Sequence, residues 1–184
     1  MTDSPAGSRT AERHRAFRRF VTIWALLGGA LLCAVVLVNT GSIIGAALFT
    51  ANETGWLGGA LPHWMASPIL GDFELTEMGV CIAVFSFLPY CQLTRSNVTA
   101  DIFTAHASPQ WVARFSLLAS LVALAFMAIL AWRMYFGMLD QREYGYTTAI
   151  LLLKHWYAYL PILASLALTV LAALVTLAED AERA

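Results

Sequence analysis

Charge is what this chain has least of. Of its 184 residues only 12% are Asp, Glu, Lys or Arg, while 59% are hydrophobic. Soluble domains carry about 25% charged residues, so a chain this poor in charge cannot cover a water-facing surface. The formal net charge of -1 says little about partners, and no nucleic-acid partner is expected. The sequence is also poor in the groups that carry chemistry. Its cysteines are Cys33, Cys81 and Cys91. None forms a Cys-x-x-Cys pair and none has a His at metal spacing, so they read as small packing residues and not as a disulfide or redox pair. No His falls in the middle of an apolar run, where a membrane haem would need one. There is no Gly-rich phosphate loop and no Ser-centred nucleophile motif. No catalytic residue, cofactor or metal is expected.

Long apolar stretches are what remain. A membrane-crossing helix needs about 20 mostly apolar residues. Four stretches satisfy this, at about 20–49, 75–93, 111–137 and 156–177. The fold class is therefore an all-α membrane protein with four transmembrane helices. A short cytoplasmic amphipathic helix is expected near Val98, Ile102 and Phe103, whose spacing is near one helical turn. The first apolar run exceeds the core of a cleaved signal peptide and reads as an uncleaved span. Residues 1–19 form a basic segment before a transmembrane domain at 20–178, and 179–184 form a tail.

Lys and Arg set the expected orientation. Arg9, Arg13, Arg15, Arg18 and Arg19 precede the first span, and the loop from Thr50 to Glu74 has no Lys or Arg. The positive-inside rule then puts both termini in the cytoplasm. Trp56, Trp64, Trp132 and Trp156 fall near the expected outer surface and Trp111 near the inner one, where aromatic rings with a polar edge favour headgroup depth. Pro89 inside the second span is expected to bend or break it.

A few polar positions stand out. Asp72, Glu74 and Glu77 open the second span. Acids in a first turn complement the helix dipole, but Glu77 lies inside the apolar run, where a carboxylate is costly and often functional. Glu74, Glu77, Arg95 and Asp101 are candidates for partner contacts. Arg95 and Asp101 are expected to hold the inner loop by pairing with each other or with a partner. Gly41 and Gly45 form a Gly-x-x-x-Gly that lets a helix approach closely.

Several stretches carry a family likeness. They are Asn39 after the first apolar run, Phe73-Glu74-Leu75 at the entry to the second span, Arg95 followed by Ser96 to Asp101, and Thr147 to Ile162 with Trp156, Tyr159 and Pro161. Over about residues 18–178 the chain resembles the small membrane subunit, of DctQ or SiaQ type, of tripartite ATP-independent periplasmic transporters. It departs from the family pattern at Ser96 and Asn97, which stand for Gly and His, and at Lys154, where Pro is common. The resemblance implies a bacterial inner-membrane protein with cytoplasmic termini. It implies a complex with a large permease subunit, which holds the sodium and substrate sites, and with a periplasmic binding protein that delivers an organic acid. The small subunit would act as a fixed scaffold in the lipid bilayer. A small four-helix subunit of the tripartite tricarboxylate type is the main alternative. A membrane thiol oxidoreductase fits less well, since it needs paired cysteines.

Overall fold

The structure, a computed structural model, describes residues 5–54, 56, 62, 67–96 and 109–181. Within them lie four helices: α1 (Pro5–Glu53), α2 (Asp72–Leu93), α3 (Pro109–Tyr144) and α4 (Trp156–Ala181). All four expected spans are present, and each helix is long and apolar enough to cross a membrane. Helix is the form such runs must take, because lipid offers no partner to a free backbone N–H or C=O. The expected amphipathic helix around Val98 to Phe103 lies outside the described residues.

The helices pack in the order α1 on α2, α2 on α4 and α4 on α3. α4 is the centre of this arrangement. Its buried face comprises Ile162, Ser165, Leu166, Thr169, Ala172, Ala173, Thr176 and Asp180, spaced by three or four residues as one helix face requires. Val21 of α1, Leu93 of α2 and Ala172 of α4 meet in one core cluster, with Phe17 and Val175 against it. α3 touches the rest of the bundle along one side, and its most apolar stretch has no buried residue.

Contacts between α3 and α4 give the bundle a ruler. Near one end Ser120 of α3 reaches Asp180 of α4. Near the other, Gly137 lies beside the ring of Tyr159. From Ser116 to Gly137 a helix rises ~32 Å, close to the ~30 Å of bilayer hydrocarbon. The first of these ends carries the start of α1 and the end of α4 and is called the termini side below.

α1 is much longer than a span, 49 residues or ~74 Å. The basic segment continues the same helix from Pro5. Past Asn39, which lies level with Thr76 near the start of α2, α1 runs on beyond α2, and residues 67–69 of the connecting loop lie along it. α2 shows no break at Pro89, which is inside the helix and fully buried. The helix runs on to Leu93, and what the ring removes is the one bond that an N–H at 89 would make to the Phe85 carbonyl a turn earlier.

Candidate functional site

On the termini side a charged network joins all four helices. Its hub is Arg95, just past the end of α2. The Arg95 N–H donates to the Gln92 carbonyl (3.3 Å) and the Ser96 N–H to the Cys91 carbonyl (3.1 Å). This is the Schellman closure of a helix end, which puts its C′ residue in the left-handed region. Gly usually takes that place, and here Arg95 holds φ 53. The backbone cost is roughly 1–2 kcal/mol. The conformation accompanies a side chain that meets two other helices. Its guanidinium pairs with Asp180 (2.6 Å) and Glu179 (3.7 Å) of α4 and donates to the Ser116 hydroxyl of α3 (3.4 Å). Ser120 of α3 donates to the other Asp180 oxygen. Glu179 also meets Arg18 of α1 at 3.9 Å. Asp180 is 2% exposed, so its carboxylate depends on these partners.

Through the membrane the helices are joined by a repeated device. A Ser or Thr hydroxyl donates to a carbonyl one turn back in its own helix and accepts an N–H from a neighbour. Ser165 donates to Pro161 O (2.8 Å) and accepts from Trp24 Nε1 (2.9 Å). Thr176 donates to Ala173 O (3.0 Å) and accepts from Gln92 Nε2 (3.1 Å). Thr76 donates to Asp72 O (2.7 Å) and accepts from Asn39 Nδ2 (3.3 Å). Each hydroxyl is satisfied in both roles, which matters where water cannot substitute.

On the opposite side Glu74 makes the tie. Its two carboxylate oxygens accept the consecutive N–H groups of Ile150 (2.7 Å) and Leu151 (2.9 Å). Those residues tip a small loop between α3 and α4, closed by an antiparallel bridge between Thr147 and Lys154. Gly71 holds φ +79, and a side chain there would collide with Leu151, so glycine lets the loop tip seat on the start of α2. Arg142 of α3 lies over the Trp156 ring at 5.6 Å and closes the loop's base.

The remaining expected positions divide clearly. Gly45 makes its close approach to the chain's own Ser67 backbone, while Ser42 accepts the Ile69 N–H (3.1 Å) and Gly41 faces the Ile69 side chain. Glu77 is exposed on α2. Trp56, Trp111 and Trp132 are exposed. Trp156 is half-buried, and Arg114 stacks over Trp111 at 5.5 Å. Cys33 and Cys81 are exposed, Cys91 is half-buried, and all three are free. Asp101 and Trp64 lie outside the described residues. Sequence reasoning missed Asp180, Glu179, Ser120, Gln92 and the Trp24–Ser165 contact. A signal existed for the first two. They are acids closing an apolar run on the side where Arg18 and Arg95 lie.

The fold and these ties define a polytopic membrane protein whose polar groups mostly hold its own helices together. A family model described as "Tripartite ATP-independent periplasmic transporters, DctQ component" matches residues 64–183. The chain belongs to this family. The match covers α2, α3 and α4 and begins after α1. The protein is thus a small component of a tripartite transporter and a multi-pass protein of the inner membrane. No curated protein matches the chain, and no solved structure does.

Proposed function

We propose that this chain is the fixed scaffold of its transporter. It supports a large permease subunit in sodium-coupled uptake of an organic acid that a periplasmic binding protein delivers. The observation that carries the reading is where the polar groups are. The hydroxyls, amides and acids described above engage each other across helix contacts, and α3 has no charged residue between Phe115 and Trp132. A carrier needs polar groups near midplane to replace the water around an ion or an anion. A scaffold needs rigid helices and apolar surface for a neighbour, and α1 and α3 supply that surface with Ile43, Ile44, Leu121 and Ile129 exposed.

In this reading both termini are cytoplasmic, which the arginines before the first span support. Glu74 and Arg95 act on the partner indirectly, by holding the loop after α3 and the turn after α2 in shape. Gly41 and Gly45 do the same for the first connecting loop. Glu77, exposed one turn into α2, meets a donor of the permease at headgroup depth, and Asp101 contacts the permease from the loop after α2. Reconstitution tests the proposal. Vesicles holding this chain alone should show no sodium-dependent uptake of an organic acid. The same vesicles should gain it when the permease and binding protein are added. Uptake by this chain alone would overturn the scaffold reading.

A further inference from the structure

α2 and α3 both pack on α4, and the space between them is open. It forms a groove of about 560 Å³ whose walls include Gln92 of α2 and Phe115, Ala119, Val122, Phe126 and Met127 of α3. The α3 positions recur every three or four residues, with Phe126 and Met127 adjacent at the end, so they form one continuous helix face. From Phe115 to Met127 this face is ~18 Å long. That is a little more than one leaflet, half of the ~30 Å hydrocarbon.

Position is as telling as length. The groove starts at Phe115, beside the Ser116 that Arg95 contacts, at the termini-side edge of the bilayer. It stops at Met127, near the middle of the stretch from Ser116 to Gly137, while α3 continues to Tyr144. A transmembrane helix of a partner would need a channel through both leaflets. The lining from Phe115 to Met127 spans about one leaflet, the reach of one acyl chain. The open end is basic. Arg114 is exposed and stacked on Trp111, and the Arg95 side chain, paired with Asp180 and Glu179, is 37% exposed. Among the described residues Arg18, Arg95 and Arg114 outnumber the two acids there, Glu179 and Asp180. An aromatic ring at headgroup depth completes the arrangement.

We propose that this groove holds an acyl chain of one anionic glycerophospholipid, in the leaflet on the termini side, with its phosphate at Arg114 and Arg95. The lipid fills the gap that α2 and α3 leave above α4 and so completes the bundle. Phosphate is favoured because a basic side chain near the headgroups attracts anionic lipid, and Arg offers it a planar pair of N–H donors.

Native mass spectrometry of the full chain in detergent tests this, with added palmitoyl-oleoyl phosphatidylglycerol and, separately, the phosphatidylcholine with the same chains. The wild type should retain one phosphatidylglycerol and prefer it to phosphatidylcholine. Arg114→Gln should weaken phosphatidylglycerol retention about fivefold, as expected of one basic side chain at an anionic headgroup, and remove most of the preference. Ala119→Phe, which fills the groove, should abolish retention of both lipids. Val122→Trp should do the same and replaces Ala119→Phe if that variant does not elute like the wild type. Leu121→Phe, outside the groove, should retain lipid as the wild type does. Equal retention of the two lipids by the wild type would overturn the proposal, as would undiminished phosphatidylglycerol on either filled variant. So would a filled variant that keeps its lipid but no longer assembles with the permease, since a partner helix would then be the occupant.

Discussion

α3 and α4 are near equals in composition and opposites in packing. The most apolar stretches of the two have almost the same mean hydropathy, yet 39% of the α4 stretch is buried and none of the α3 stretch is. The difference teaches what apolarity decides in a membrane. An apolar side chain gains little by leaving lipid for another helix, because lipid is just as apolar. Hydropathy therefore selects helices that cross and leaves their neighbours undecided. Packing follows small residues and hydrogen bonds. α4 presents Ala172 and Ala173 for close contact, with Ser165, Thr169 and Thr176 buried beside them. α3 turns Leu118, Leu121, Val122, Phe126 and Ile129 outward and meets α4 along one side.

The sharpest way to break this comparison is to make one change in both helices. Ala173→Leu puts a larger side chain at a fully buried site of α4 and should cost about 1–3 kcal/mol through overpacking. Ala125→Leu, at an exposed site of α3, should stay within about 0.5 kcal/mol. Thermal unfolding in detergent, followed by circular dichroism, reads both. Equal losses would mean that α3 is packed as tightly as α4.

A second test concerns the charged network that joins the two helices. Asp180→Ala removes the nearest partner of Arg95 and the acceptor of Ser120. We expect a loss of about 2 kcal/mol, less than for a fully buried pair because Arg95 reaches water. Trypsin should also cut more quickly after Arg95. Asp180→Asn, which keeps an oxygen for Ser120, should lose less than Asp180→Ala. Equal losses from the two would show that the carboxylate charge, and not the oxygen kept for Ser120, makes the tie.

A small effect is expected in the middle of the membrane. Trp24→Phe removes the indole donor to Ser165 and keeps an aromatic ring. Hydrogen bonds between membrane helices average about 0.6 kcal/mol, so the melting temperature should fall only slightly. The Ser165 hydroxyl still has the Pro161 carbonyl as its acceptor. A loss as large as that of Asp180→Ala would place the main tie of the bundle at its centre and not at its end.

The candidate site was legible only in pieces. Glu74, Arg95, Gly41 and Gly45 stand out in the sequence because each is the wrong residue for an apolar run or a loop in lipid. Their partners do not stand out. Arg95 was expected to meet Asp101 or another protein, and it meets Asp180 and Glu179, more than 80 residues along the chain. Glu74 reads as a first-turn acid, and it holds the N–H groups of Ile150 and Leu151, which have no signature of their own because any residue but proline supplies that donor. Ser165 and Thr176 look like ordinary small residues of a span until the Trp24 and Gln92 donors are brought to them.

By itself the sequence determined that the chain crosses the membrane as helices, and where. Scarce charge and four apolar runs leave no other structure in lipid, where every backbone group must find its partner within its own segment. The family likeness was also readable there, in motifs at the entries to the second and fourth spans. Only the tertiary structure decided which helix lies at the centre, which acid meets which arginine, and where the bundle stays open. Those choices rest on shape and on single hydrogen bonds between residues far apart in the chain. Hydropathy, almost equal in the exposed α3 and the central α4, carries no information about them.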